Sequence, residues 1–494
     1  MITSEHFRAL FDPRGIVVAG ASTHPGKFGF VALHNILSCG FKGDVFATNR
    51  ERAEVLGRTT VADLTEIPHG KADLVFVCTP AASNHEVLRQ AAAVGIKAAF
   101  IASAGYGESG EAGLELQREL VELANELKMM IVGPNGQGLV STPSSLCAQI
   151  VAPYPPAGSI GIASQSGNFV SSFMNLSRQS GVGISRAISV GNAAQVGILD
   201  MLEYFADDPK TSVGLVYVEG ISNGREFADR LENVCRRMPV VLLKGGSSGL
   251  GAKAAASHTG SLATDDRVFD GLCRQVGATR ASSISEAFDI AAAFATLPAP
   301  RGPRLAVVTT VGGWGVLAAD AISATNLDLV ELPPDLRNTL DGLLPPRWSR
   351  NNPIDLAGGE TKDTVPAVLN AVVGHGDIDS TLVLGMGIQS NQGRLEREGP
   401  FYPGHGLDRI VAFHDRQDSR YAEVALAASS AAGKPVLIAS ELAVGDPNNA
   451  AVAAVRSTGH YCFPSAERAV VALHGLYERE VWLASLGTPG DGGR

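Results

Sequence analysis

The sequence predicts an α/β fold of three successive doubly wound domains. Short apolar, β-branched runs ending in small residues recur along the chain, each followed by a segment with helical spacing, which is the βα signature. Two Pro-rich breaks reset that pattern, Pro153-Tyr154-Pro155-Pro156 and Leu297-Pro298-Ala299-Pro300-Arg301-Gly302-Pro303. At roughly 150 residues per domain, a chain of 494 residues has room for about three.

The first domain is placed at 1–150. Its strands are Gly15 to Gly20, Asp44 to Ala47, Asp73 to Val77, Ala98 to Ala102 and Met129 to Gly133. The second, 151–298, carries strands at Ser159 to Ala163, Val213 to Val218 and Pro239 to Leu243, with a weaker one near Ile184 to Val190. The third, 299–480, opens with Arg304 to Val308 and continues through Ser380 to Leu384 and Pro435 to Ala439. Its polar, Gly-rich stretch from Asn391 to Gly406 reads as a long loop, and 481–494 as a tail that frays from Gly487.

A formal net charge of −10 and the lack of any basic block exclude a nucleic-acid surface, because a phosphate backbone is bound chiefly by clustered Lys and Arg. The six cysteines form no C-x-x-C pair, so neither a disulfide framework nor a zinc site is indicated, and no metal is expected in this chain. Met1 to Arg14 lacks an apolar signal-peptide core, and no apolar run reaches the ~18 residues of a membrane span. A reducing cytoplasm is the expected compartment.

Three segments carry candidate chemistry. The first strand runs into Gly20-Ala21-Ser22-Thr23-His24-Pro25-Gly26-Lys27-Phe28-Gly29 and then a helical pattern, so its backbone and the mobile Lys27 cation suit a phosphate. It fits neither a Walker A loop nor G-x-G-x-x-G, and a tight βα turn with no ligand is the plainer alternative. Strand ends at Cys78-Thr79-Pro80, Ser103-Ala104-Gly105 and Gly133-Pro134-Asn135-Gly136 fall on the same sheet edge, where a long ligand can lie. In the second domain, Ser164-Gln165-Ser166-Gly167 stands at a helix N-terminus, suited to an anion, although N-capping alone explains one Ser. Finally, His258 lies among Gly, Ala and Ser with no apolar periodicity. A lone His is most often structural, yet a neutral imidazole can attack a phosphoryl group, and Glu219 at a strand end offers a carboxylate for its other nitrogen.

Taken in order, these segments resemble the NDP-forming acyl-CoA synthetases, the superfamily of succinyl-CoA synthetase and ADP-forming acetate–CoA ligase. Gly20-Ala21-Ser22 is similar to the family's CoA-binding loop, Ser164 to Gly167 to its helix-capping motif, and Ser257-His258-Thr259-Gly260 to its phosphohistidine motif. Gly312-Gly313-Trp314-Gly315-Val316-Leu317-Ala318-Ala319-Asp320 and Asn352-Pro353-Ile354-Asp355 resemble signatures of its third domain. Two departures stand out: Gly136 where the family has Cys, and Thr310-Val311 where it often has Asn-Ser.

The resemblance implies a Rossmann-like CoA-binding domain followed by two flavodoxin-like domains, and a reaction in which acid, CoA and ATP interconvert with acyl-CoA, ADP and phosphate. It makes His258 the phosphoryl carrier and Glu219 its orienting carboxylate, with Ser164, Gln165, Ser166 and Gly167 around the phosphoryl oxygens. Gly20, Ala21, Ser22, Lys27, Asn49, Thr79, Pro80, Ser103 and Asn135 are the CoA contacts it implies. After the third domain too few residues remain for an ATP-grasp module, whose cleft needs at least ~50 residues. ATP or ADP with Mg is therefore expected on a partner β subunit, in a heterotetramer, and the chain is expected to be its α subunit. Fourteen steps of chain lead from Lys244 to His258, a reach of about 45 Å when extended, so the histidine can travel. Rival readings are an acyl or carbamoyl transferase relative that binds CoA or an acyl phosphate, and a non-catalytic CoA-binding protein. An NAD-dependent dehydrogenase is disfavoured because Asn49-Arg50, not an acid, follows the second strand.

Overall fold

The structure is a computed structural model that describes residues 2–151, 154–221, 223–248, 250–251, 265–356, 358 and 362–487. The chain divides into two compact bodies: residues up to Ala287 except 178–182, and those five together with Phe288 onward. Three parallel-dominated sheets make it α/β, with two sheets in the first body and one in the second.

The first sheet holds β1 (Gly15–Ala19), β2 (Asp44–Thr48), β3 (Leu74–Val77), β4 (Ala98–Ile101) and β5 (Met130–Val132), all parallel, in the order β2-β1-β3-β4-β5. Every residue of β1, β3, β4 and β5 is buried, as expected for strands covered by helices on both faces. The strand order reverses between β1 and β3, which opens a crevice at their carboxyl ends.

The second sheet, in the order β12-β11-β10-β8-β9-β6-β7, contains β6 (Gly138–Ser141), β7 (Leu146–Gln149), β8 (Ala157–Ser164), β9 (Ile184–Ser189), β10 (Val213–Val218), β11 (Val240–Lys244) and β12 (Thr279–Ala281). The hairpin β6-β7 lies antiparallel on the edge formed by β9. Its strands are only four residues each, so no strand pattern marks them in the sequence. The chain thus enters the second sheet before the Pro-rich break. Arg186 of β9, 3% exposed, locks this sheet to the first domain, binding Asp208 at 3.0 Å and Asp12 at 2.8 Å.

In the second body, β13 (Arg304–Thr309), β14 (Asp328–Leu329), β15 (Ile354–Asp355), β16 (Ser380–Leu384), β17 (Val436–Ala439) and β18 (Cys462–Phe463) are parallel, in the order β14-β13-β16-β17-β18 with β15 on β13. Asn352 of the Asn-Pro-Ile-Asp segment accepts from Val307 N–H at 2.9 Å and donates to the Leu305 and Val330 carbonyls. The motif therefore stitches strands.

One expectation is corrected here. Asn391 to Gly406 is not a long loop, since helix Ile388–Glu398 covers its first half and a turn then leads into helix Leu407–Ala432. Gly393 suggested a loop, but it packs at the helix crossing, where an added Cβ would lie 3.3 Å from Val411. Among the described residues, no helix is long and apolar enough to cross a membrane.

Candidate active site

At the crevice of the first sheet, Gly20 follows β1 with φ +85°, a left-handed conformation that costs Gly little. Gly29, in the first turn of helix Phe28–Ser38, packs so close that a Cβ would sit 2.1 Å from the Gly20 carbonyl oxygen. The helix N-terminus is thereby pressed against the loop. Ala21 N–H bonds the Thr48 carbonyl at 2.9 Å, and Asn49 Nδ2 donates to the Ala21 carbonyl at 2.9 Å, so Asn49 holds the loop's shape. The Ser22 hydroxyl accepts from His24 N–H, while Lys27 and Pro80 are exposed.

Across the crevice, Thr79 donates to Asn84 Oδ1 at 2.8 Å, and Asn84 Nδ2 donates to the Ser103 and Tyr106 hydroxyls, each at 2.8 Å. Asn84 is fully buried and ties together the ends of β3 and β4. Burial pushes the Tyr106 phenol up, against the opposing effect of Asn84. Sequence reasoning missed Asn84, whose only signal was its place one turn after Thr79-Pro80. Asn135, at φ +63°, donates to Asn192, which in turn donates to Glu108 and Gln117. Burial alone would raise the Glu108 carboxyl, but the bonds from Asn192 and from the Gly105 and Tyr106 N–H groups hold it below its ordinary value.

A second cluster lies on the carboxyl edge of the second sheet, where β11, β10 and β8 are neighbours. The Ser164 hydroxyl is committed to its own loop, donating to the Ser166 carbonyl at 2.6 Å and accepting from Ser166 N–H at 3.1 Å. Gln165 bridges to the end of β10: its Oε1 accepts from the N–H groups of Glu219 and Gly220, and its Nε2 donates to the Gly220 carbonyl. Helix Gly167–Ser180 follows, so its first N–H groups have no carbonyl within the helix to meet. Phe169 stacks on Tyr217 with ring centroids 3.7 Å apart. Burial, then the Glu219 charge and hydrogen bond, push the Tyr217 phenol up to about 12. Neither Tyr217 nor Phe169 stood out in the sequence.

Gly245 N–H bonds the Val218 carbonyl at 2.9 Å, so the segment following β11 departs beside Glu219. His258 itself lies outside the described residues.

Fold and site together define an α/β protein whose polar machinery sits at the carboxyl ends of parallel strands, with glycine-opened and helix-capped turns facing outward. The CoA binding domain family matches residues 14–142, the succinyl-CoA ligase like flavodoxin domain family 157–294, and the Ligase-CoA domain family 305–388. The alpha subunit of acetate–CoA ligase (ADP-forming) I from Pyrococcus furiosus is 33% identical over 96% of this chain and 98% of that protein. The alpha subunit of isoform II from the same organism is 37% identical over 70% and 75%. Among solved structures, the dinucleotide forming acetyl-coenzyme A synthetase 1 of Ca. Korarchaeum cryptofilum, in complex with phosphate and ADP, superposes with a TM-score of 0.84 at 30% identity, covering 98% of this chain and 100% of that one. The chain belongs to the ADP-forming acyl-CoA ligases, a family of acid–thiol ligases.

Proposed function

We propose that the chain is the α subunit of an ADP-forming acyl-CoA ligase, carrying the phosphoryl group on His258 and working with a separate ATP-grasp β subunit in a cytoplasmic heterotetramer. Residues 1–150 hold CoA, 151–298 carry the phosphohistidine segment, and 299–480 form the second flavodoxin-like domain. In the synthetic direction, the partner transfers the γ-phosphoryl group of Mg-bound ATP to His258. The segment then carries it to the acid, whose carboxylate oxygen attacks phosphorus and frees the imidazole. The CoA thiol attacks the acyl carbon of that acyl phosphate, and phosphate leaves.

The chain's own residues have separable tasks in this scheme. Glu219 accepts the N–H of the imidazole nitrogen that does not carry phosphorus, fixing the tautomer and stabilising the charged ring. Ser164 to Gly167 present the helix N–H groups and dipole to the phosphoryl oxygens. Gly20, Ala21, Ser22 and Lys27 take the phosphates of CoA at the opening of the first helix, Asn49, Thr79 and Pro80 flank them, and Ser103 and Asn135 lie further along the same edge.

The observation that carries this reading is the junction of Gln165, Glu219 and Gly245, which gathers a helix entry, a carboxylate and the root of the histidine segment on adjacent strand ends. The test is to incubate the chain with an acyl-CoA and labelled phosphate and score acid-labile, base-stable label. Wild type should label and His258→Ala should not. Equal labelling of the two would overturn the reading.

A further inference from the structure

The turn after β9 belongs to the second sheet by chain order but docks on the first. Val190 N–H donates to the Ser164 carbonyl at 2.8 Å, so this turn starts beside the Ser164 to Gly167 loop. Two residues on, Asn192 N–H donates to the Pro134 carbonyl at 3.0 Å and Ala194 N–H to the Gly133 carbonyl at 3.1 Å, while the Gln195 carboxamide oxygen accepts from Ile131 N–H of β5 at 2.7 Å. The fit is close, since a Cβ added to Gly191 would lie 2.2 Å from the Pro134 carbonyl oxygen.

The Asn192 carboxamide stands at the centre of this junction. Its oxygen accepts from Asn135 Nδ2 at 3.3 Å, and its nitrogen donates to Glu108 Oε2 at 2.5 Å and to Gln117 Oε1 at 2.9 Å. Glu108 Oε1 in turn accepts from Gly105 N–H at 2.6 Å and Tyr106 N–H at 3.1 Å. One side chain thereby fixes the turns after β4, β5 and β9 together. An amide suits the place because it accepts on one side and donates on the other. A carboxylate there would face Glu108 with acceptors only, and like charges would push the turns apart.

We propose that Asn192 is a positioning residue for acyl transfer between CoA and phosphate. The inference rests on reading the chain as an acyl-CoA ligase subunit with CoA along the edge of the first sheet. From the loop after β1, three strand spacings, about 14 Å, lead to the turn after β5, so a CoA whose phosphates sit at Gly20 to Lys27 carries its thiol end toward Asn135. Starting from acyl-CoA, a phosphate oxygen bonds the thioester carbon, the C–S bond breaks, and the sulfur takes the proton that phosphate gives up. That step needs the edges of the two sheets in register, whereas the later transfer from acyl phosphate to His258 needs only the second.

The test uses the full chain and two routes to labelled His258: acetyl-CoA with labelled inorganic phosphate, which requires the acyl transfer, and labelled acetyl phosphate, which bypasses it. Asn192→Asp should slow the first route about 100-fold while leaving the second within about twofold and CoA affinity, by calorimetry, within about threefold. Adding Glu108→Gln to Asn192→Asp returns a donor to the pair and should bring the first route back to within about tenfold of wild type. A first route as fast in Asn192→Asp as in wild type, both routes slowed alike, or no recovery in the double variant overturns the proposal. A wild type that labels by neither route overturns the phosphohistidine reading, and this inference with it.

Discussion

The carboxamide of Gln165 grips the backbone at Glu219: Oε1 accepts from the Glu219 N–H at 2.5 Å and the Gly220 N–H at 3.3 Å, and Nε2 returns a bond to the Gly220 carbonyl. Residues 54 positions apart in sequence are thereby held as one unit at the edge of the second sheet. The family resemblance makes Gln165 one of four residues expected around a phosphoryl group. In the fold its side chain sets where Glu219 stands.

Replacement of Gln165 by Ala should therefore act through Glu219. Misplacing a reacting or orienting group by an ångström costs about 100-fold in rate, so labelling of His258 should slow on that order while the melting temperature moves little. An unchanged labelling rate in Gln165→Ala counts against the positioning role.

Gly29→Ala tests the contact between helix Phe28–Ser38 and the Gly20 loop, to which CoA binding is proposed. The new methyl would meet the Gly20 carbonyl oxygen at 2.1 Å, so helix and loop must separate. Overpacking of this kind costs about 1–3 kcal/mol, and CoA affinity measured by calorimetry should fall about tenfold or more. Gly271→Ala, within helix Asp266–Val276, is the contrasting variant, because no heavy atom stands within 4 Å of its added Cβ, and it should bind CoA normally.

Arg186→Met should destabilise the first body by about 3 kcal/mol, since it leaves the Asp208 carboxylate buried without its cation. A fall in the denaturant midpoint at unchanged slope is the expected signature. Asp12 is partly exposed and contributes less to that loss.

The pH dependence of stability follows from a device that occurs twice. Arg14, just before β1, binds Asp73, just before β3, through both its backbone N–H and its guanidinium. Arg304, at the start of β13, grips Asp379, just before β16, in the same way. Burial raises each carboxyl, but the Arg bonds outweigh it and hold both below the ordinary value. The unfolded chain binds protons at these positions first, so their contribution is complete above the unfolded pKa of about 3.9 and is lost as pH falls through the lower folded values. Melting curves of Asp73→Asn and Asp379→Asn should therefore show a shallower fall in stability below about pH 4 than wild type. An equally steep fall in both variants would remove these carboxylates as the cause.

Much of the fold was legible because its determinants are local. The runs at Gly15, Leu74, Ala98 and Met130 are apolar and buried on both faces, so they announce themselves over three to five residues, while Asp44–Thr48 is buried only at its last two. The hairpin Gly138–Gln149 escaped because two four-residue strands give no periodicity, and their identity comes from pairing with Ile188 and its neighbours. The helix Ile388–Glu398 escaped for another reason: Gly393 looks like a breaker, whereas its missing side chain admits Val411 from the neighbouring helix.

The site divides the same way. Gly20-Ala21-Ser22 and Ser164 to Gly167 were visible as turn chemistry at strand ends, Glu219 as a carboxylate closing a strand, and Ser257 to Gly260, outside the described residues, only through the family resemblance. Asn84, Tyr217 and Asn192 carry no such mark. Each matters through what it touches, across 19, 48 and 84 residues respectively.

By itself the sequence determined three α/β domains, the order of the motifs and the chemical types at the turns, because backbone propensity and side-chain periodicity act over a few residues. Tertiary structure alone decided that Gln165 positions Glu219, that Arg186 joins two domains, and that Asn192 ties Asn135 to Glu108. Those outcomes depend on which distant strands become neighbours, a choice made by burying the whole apolar surface at once.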